Sequence, residues 1–377
     1  MSDAALSRAD LKRGRTLAWL ALAAALLAAA AIGAVLSDRA AVAPSAMNET
    51  MYPGFAESSA DAASIRIESP TVIVTLNKDP GGRWVVAERS GYPANAEGVR
   101  ALMLSMAQLR LIERRTADPA RHAALELTTG AAGTGHAVTV TAADGSVLAA
   151  LVAGKVQARA AGSSPGTLFV RRGGEDQTWL ARGVVAIPAS IGATLDKTLF
   201  ALDEARVKTV RVEPRGLQSY TLTRPAPGGD FALDAVPDGK VAQPPQILQT
   251  PASAVAGLVF EDVIKADAVE VAEATTVAFT TFDGLVVTLT LVPGGPGGAY
   301  GLIGAAVDEA LAAAPPPAEG AAKSDAGAEA AAINSRVGGW AYKLPTYVLT
   351  NLVPPLETLV ADKPAEAAPE APPAPPQ

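Results

Sequence analysis

Residues Leu17–Leu36 read LAWLALAAALLAAAAIGAVL and contain no charged side chain. An α-helix rises about 1.5 Å per residue, so a run of this length spans the roughly 30 Å hydrocarbon core of a bilayer. Arg8, Lys12, Arg13 and Arg15 precede the run, whereas only Asp38 and Arg39 follow it closely. This asymmetry predicts a cytoplasmic basic N-terminus over 1–16 and a single-pass anchor in the inner (cytoplasmic) membrane over 17–36. It places the main body from about Ser37 onward in the periplasm or another extracytoplasmic space. A cleaved signal peptide is the competing reading, with Ala41-Val42-Ala43 as a small-residue cleavage site. Pro44 directly after that site and the length of the apolar run favour retention. No Cys follows the segment, which excludes a lipoprotein anchor.

At 377 residues the chain exceeds one domain of ordinary size even without anchor and tails. A net charge of -7 argues against a nucleic-acid partner, which requires a basic face for phosphates. With no Cys there is no disulfide, thiol nucleophile or cysteine metal site, so an exported body depends on packing alone. Asn48-Glu49-Thr50 matches a glycosylation sequon, a pattern short enough to arise by chance.

Residues 37–63 lack periodicity and read as a stalk. Ile65-Arg66-Ile67 then alternates, and the β-branched strand Val72–Leu76 is closed by the Asp79-Pro80-Gly81-Gly82 turn before Trp84-Val85-Val86. Asn95 caps a helix whose Val99, Leu102, Met103, Met106 and Leu109 form one apolar stripe. Val138–Val140 and Val147-Leu148 flank Asp144-Gly145, a strong hairpin signal. Strands at Leu168–Val170 and Trp179-Leu180 follow, and Pro188 opens a helical stretch carrying Ile191, Leu195 and Leu199.

The order then recurs. Val210-Arg211-Val212 echoes Ile65-Arg66-Ile67, Tyr220–Leu222 echoes the Val72 strand, and Phe231–Leu233 stands where Trp84–Val86 stood. Thr250-Pro251 is expected to cap a helix bearing Val255 and Leu258. Asp283-Gly284 repeats the hairpin, and Trp340–Tyr342 with Pro345–Leu359 repeats the end. The expected fold class is therefore α+β. A transmembrane helix leads into two repeated β-rich modules, 64–205 and 206–362, each with short helices packed on an antiparallel sheet. The Ala/Pro/Gly-rich stretch at 305–332 reads as a disordered insertion, and 363–377 as a disordered Pro/Ala-rich tail.

This layout resembles the bacterial domain-of-unknown-function family numbered 4340. The matching residues are Gly82-Arg83-Trp84 after a short strand, a capped helix running into Leu109-Arg110-Leu111-Ile112, and the strand Thr167–Val170. Ile187-Pro188-Ala189-Ser190 followed by Leu195-Asp196-Lys197-Thr198-Leu199 completes the set. The resemblance covers about 65–300 and the last strand and helix. It implies tethering by one N-terminal helix and association with an auxiliary component of a gliding-type ABC transport system. It carries no catalytic residue over.

No stretch of the chain supplies a convincing catalytic pattern. Gly162-Ser163-Ser164-Pro165-Gly166 matches the nucleophile-elbow string, but a strand rather than a helix follows, and both histidines, His122 and His136, come earlier. Two histidines without Cys make a zinc site improbable, and both read as exposed. The pairs Asp203-Glu204 and Glu261-Asp262 read as solvated strand edges or caps. The Pro293–Gly298 run lacks the Lys-Ser/Thr of a phosphate loop and reads as a hairpin end. Arg110, Arg114, Arg115 and Glu113 read as a solvated strand end.

No catalytic, cofactor-binding or metal-ligating residue is assigned, and no cofactor is expected. The favoured function is a non-catalytic, membrane-anchored scaffold or adaptor, with the membrane and an ABC-type permease or auxiliary subunit as partners. The alternative is a binding module for an envelope ligand such as a polysaccharide, using Trp179, Tyr220 or Trp340.

Overall fold

A computed structural model of the chain describes residues 48–130, 132–157, 166–272, 274–295, 298–315 and 324–363. The expected anchor (17–36), the Gly162–Pro165 part of the elbow string and the tail beyond Lys363 lie outside these residues. No helix among the described residues is long and apolar enough to cross a membrane. The strands are β1 (Glu49–Thr50), β2 (Ala62–Glu68), β3 (Ile73–Lys78), β4 (Trp84–Val86), β5 (Tyr92–Pro93), β6 (Arg110–Arg114), β7 (His136–Ala142), β8 (Val147–Gln157), β9 (Thr167–Arg172) and β10 (Thr178–Arg182). They continue as β11 (Val207–Glu213), β12 (Tyr220–Thr223), β13 (Ala232–Leu233), β14 (Lys240–Ala242), β15 (Asp262–Lys265), β16 (Thr275–Thr281), β17 (Leu285–Gly295), β18 (Gly298–Val307), β19 (Trp340–Lys343) and β20 (Val360–Asp362). The helices are α1 (Phe55–Ser58), α2 (Ala96–Ala107), α3 (Pro245–Leu248), α4 (Thr250–Ala256), α5 (Glu309–Ala313), α6 (Ala326–Val337) and α7 (Thr346–Leu352). This is the mixed α+β, antiparallel architecture expected from the sequence.

The described residues group into two compact units. The first contains 48–62, 68–70 and 102–187, and the second 63–67, 71–101 and 188–363. In the first, antiparallel strands run β1-β6-β10-β9-β8-β7. The Asp144-Gly145 turn joins β7 to β8, with the Ser146 N–H donating to the Asp144 carboxylate and Gly145 at φ 85°. Alternation then buries Val138, Val140 and Leu151 on one face. Residues 48–63, expected as stalk, instead enter the fold. Thr50 pairs with Arg110, and Met51 and Phe55 are fully buried, apolar anchors that the polar composition around them concealed.

The second unit holds the run β2-β3-β4-β5 and an eight-stranded antiparallel sheet ordered β13-β12-β11-β16-β17-β18-β19-β15. Its buried face carries Val210, Val212, Leu222, Val277, Phe279, Leu285, Val287 and Leu289. The β16–β17 hairpin turns at Asp283-Gly284, where glycine is required twice over. Its φ is 91°, and a Cβ would lie 2.6 Å from the Ala312 amide nitrogen.

Three local expectations change. The 305–332 stretch is not a plain loop in its described part: 305–307 extend β18, and α5 and α6 follow. Asp325 caps α6 by accepting from the Ala328 N–H, and Ala326, Ala330, Ile333 and Val337 form its buried stripe. Small alanines lower the apparent amphipathicity of such a helix without preventing close packing. The Pro188 stretch forms only a 3-10 turn, Ile191–Thr194. Thr250 is not a cap, because α3 has already turned the chain and Thr250 is the first residue of α4. By contrast, the side chain of Asn95 caps α2 by accepting from the Glu97 and Gly98 amides.

Candidate functional site

The densest meeting of aromatic and charged groups lies in the second unit, around β15 and β19. Pairing of these strands sets Val263 opposite Tyr342 and Lys265 opposite Trp340. Tyr92 stands edge-on to Trp340, ring centroids 5.0 Å apart, and Phe260 packs on Tyr342 at the same distance. Such edge-to-face pairs add about 0.5–1.5 kcal/mol beyond area burial. The Lys265 ammonium sits 3.7 Å from the Trp340 ring centre, so it covers the face that a sugar would need. Lys197 donates to the carbonyls of Phe260 and Glu261 at 2.9 and 3.0 Å and lies over the Phe260 ring. Burial pushes the Lys197 ammonium below its ordinary value, against the opposing pull of Asp262 and Glu261.

Asp262 takes a bidentate pair from Arg89 at 2.6 and 2.7 Å. Burial alone would raise its pKa. The Arg89 and Val263 hydrogen bonds, with the charges of Arg89 and Lys197, outweigh that and hold the carboxyl below the usual range. Its neighbour Glu261 pairs with Lys343. The Glu261-Asp262 pair is therefore two separate ion pairs, one of them half-buried, rather than a solvated edge or an acid/base dyad. Tyr92 donates to the Asp196 carbonyl, and burial pushes its hydroxyl up to about 12. The Tyr342 hydroxyl is buried and makes no hydrogen bond of acceptable geometry among the described residues.

The remaining residues singled out by the sequence are dispersed. Tyr220 is buried, its hydroxyl donating to the Pro354 carbonyl at 2.7 Å. Trp179 is half-buried with its indole N–H enclosed. His122, expected to be exposed, is buried because Nε2 donates to the Asp176 carbonyl at 2.9 Å and fixes the loop around it. His136, also expected to be exposed, is half-buried, with Nδ1 enclosed and without a partner among the described residues. Asp203 caps a turn at Ala205, and Glu204 accepts from the Ser253 hydroxyl. Arg115 pairs with Glu113, Arg114 donates to Gln177 and Arg110 to the Asn48 carbonyl, as befits a solvated strand end. No group of three His, Asp or Glu residues that could hold a metal ion occurs among the described residues.

One small cleft of about 310 Å³ lies at the far end of the β17–β18 hairpin, between Leu291, Val292, Pro293 and Ala299 and, across from them, Leu349 of α7 and Val353 just after it. Arg215 and Thr275 complete its wall, tied by the Arg215 amide donating to the Thr275 hydroxyl at 3.1 Å. Sequence reasoning missed the convergence of Arg89, Lys197 and Asp262, because their partners are far apart along the chain. The only local trace is Lys197 within Leu195–Leu199.

The sequence model of the family described as "Domain of unknown function (DUF4340)" matches residues 84–276. No curated protein and no solved structure matches the chain.

Proposed function

Starting from a chain that belongs to the DUF4340 family, we propose a membrane-anchored, extracytoplasmic scaffold or adaptor that serves an ABC-type transport or envelope complex without catalysing a reaction. The uncharged run Leu17–Leu36 with its basic N-terminal flank carries this reading, because it places a β-rich body on a tether outside the cytoplasmic membrane. The body is two copies of one module, about 64–205 and 206–362. In support, β7-β8-β9-β10-β6 and β16-β17-β18-β19-β15 run in the same order, as do β2-β3-β4 and β11-β12-β13. The polysaccharide alternative is weaker, since Tyr220 is buried and Trp340 is covered by Lys265 and Tyr92.

The test is gentle solubilisation of membranes and recovery of the full chain by a C-terminal tag. Stoichiometric recovery of an ABC-type permease or its auxiliary subunit is expected. Recovery of the protein alone across several detergents would sink the adaptor reading.

A further inference from the structure

The strand order β1-β6-β10-β9-β8 of the first unit sets one row of polar side chains across an end of its sheet. Thr50 stands opposite Arg110, Arg110 opposite Arg182, Arg182 opposite Thr167, and Thr167 opposite Gln157. Residues directly opposite in antiparallel strands project to the same face, with Cβ atoms about 5 Å apart. Two residues further into β9 and β10 that face is closed, where Phe169 and Leu180 are buried in one cluster with Leu127 and Val152. The row lies beyond this cover, and both of its arginines are exposed.

Like charges set directly opposite each other destabilise a sheet, and no carboxylate of these strands relieves the pair. Glu113, the only acid of β6, is held by Arg115 at 3.0 Å, and Glu49 of β1 stands opposite Leu111 on the other face. Strands β8, β9 and β10 contain no acid. Among the described residues Arg110 donates to a neutral group, the Asn48 carbonyl at 3.0 Å, and the Arg182 side chain has no partner.

We propose that this end of the first unit's sheet is a docking surface for the anionic lipid headgroups of the membrane that holds the anchor, with phosphate oxygens received between Arg110 and Arg182. The proposal rests on the anchor reading of Leu17–Leu36. Only residues 37–47 separate that run from Asn48, and at about 3.3–3.6 Å per residue they reach at most roughly 40 Å. The tether therefore enters the unit at the row itself, since Arg110 holds the Asn48 carbonyl and faces Thr50. The apolar neighbours favour a lipid surface over a soluble anion. Val156, beside Gln157, and Val184, two residues past Arg182, are 68 and 60% exposed. A bilayer interface takes up basic and apolar side chains together, whereas a free phosphate has no use for the latter.

The chain has no cysteine, so Gln108→Cys, at an exposed position two residues before Arg110, gives a single labelling site. The labelled full chain is placed in phosphatidylcholine nanodiscs with and without phosphatidylglycerol, and quenching by headgroup-spin-labelled lipid reports docking. Quenching is expected to depend on phosphatidylglycerol and to fade as salt is raised. Arg182→Gln is expected to lower the docked-to-free ratio about fivefold, and adding Arg110→Gln to lower it about fivefold again. Arg182→Gln removes no contact made among the described residues, so it keeps the test informative if the Arg110 variant fails to fold. Quenching that ignores phosphatidylglycerol, or that is unchanged in Arg182→Gln, overturns the proposal. Release by inorganic phosphate beyond that by chloride of equal ionic strength would assign the row to a soluble anion and overturn the lipid assignment. Entry into nanodiscs without quenching overturns this proposal alone, whereas failure to enter neutral nanodiscs overturns the anchor reading and this proposal with it.

Discussion

Arg206 is the node that fastens α6 to the rest of the second unit. Its Nη2 donates to Asp283 and to Glu329, both at 2.8 Å, and its Nη1 donates to Glu329 at 3.0 Å. The three side chains keep 26, 14 and 24% of their surface exposed, respectively. A charge-assisted hydrogen bond contributes ~1.5–3 kcal/mol and an exposed ion pair only ~0–1 kcal/mol. Discounting for this partial exposure, Arg206→Met is expected to cost about 2 kcal/mol, or roughly a thirtyfold shift in local opening. Burial would raise the Asp283 pKa, but the Thr281 hydroxyl and Arg206 more than offset it and hold the carboxyl below its ordinary value. A depressed folded-state value means that this stabilisation is present above the unfolded carboxylate value of ~3.9 and is lost as pH falls through the folded value. Amide exchange across α6 should therefore be about thirtyfold faster in Arg206→Met than in wild type at pH 7, with the ratio contracting towards one once the pH has fallen through the depressed Asp283 value. A ratio that is the same at both pH values would assign the effect to Arg206 packing and refute the charge argument. No change at pH 7 would refute the clamp itself.

Three further outcomes follow from the same unit. Tyr342→Phe removes a buried hydroxyl that has no good partner, so the melting temperature is expected to hold or rise, by up to ~1 kcal/mol in stability. A clear fall would reveal a hydrogen bond to that oxygen. Asn334 substitutes for a strand beyond the end of β19, donating to the Ala305 carbonyl at 2.7 Å and accepting from its amide at 2.8 Å. Asn334→Ala should accelerate exchange of the Ala305 amide about fivefold, as expected for ~1 kcal/mol from its lost bond, and unchanged exchange would count against the bridge. A fragment spanning 206–363 should melt without cooperativity, because it lacks Arg89, Tyr92 and Lys197 around Asp262, Phe260 and Tyr342. A sharp calorimetric transition would show that those residues are dispensable.

Local signals made much of the fold legible. Asp144-Gly145 and Asp283-Gly284 set hairpins because glycine supplies the positive φ that the turn needs. Asn95 announced α2 because its side chain can satisfy free amides at the helix start. Composition misled where burial depends on distant surfaces. Met51 and Phe55 sit in a polar stretch, yet they are fully buried. The alanine stripe of α6 looked like linker because alanine reports helix and disorder almost equally well until a sheet is present to receive it. His122 looked like an ordinary turn residue, and only the distant Asp176 carbonyl gave it a reason to be buried.

The aromatic and ionic cluster shows why assigning function from motifs fails in this chain. Several elements of it could be mistaken for chemistry when taken singly: a carboxylate pair at Glu261-Asp262, a lysine with a depressed pKa at Lys197, and an aromatic at Trp340. Brought together, they satisfy one another. Arg89 neutralises Asp262, Lys197 fills the carbonyls that end the segment before β15, and Lys265 and Tyr92 cover Trp340. A group whose hydrogen bonds and charge are already met has little left to offer a substrate.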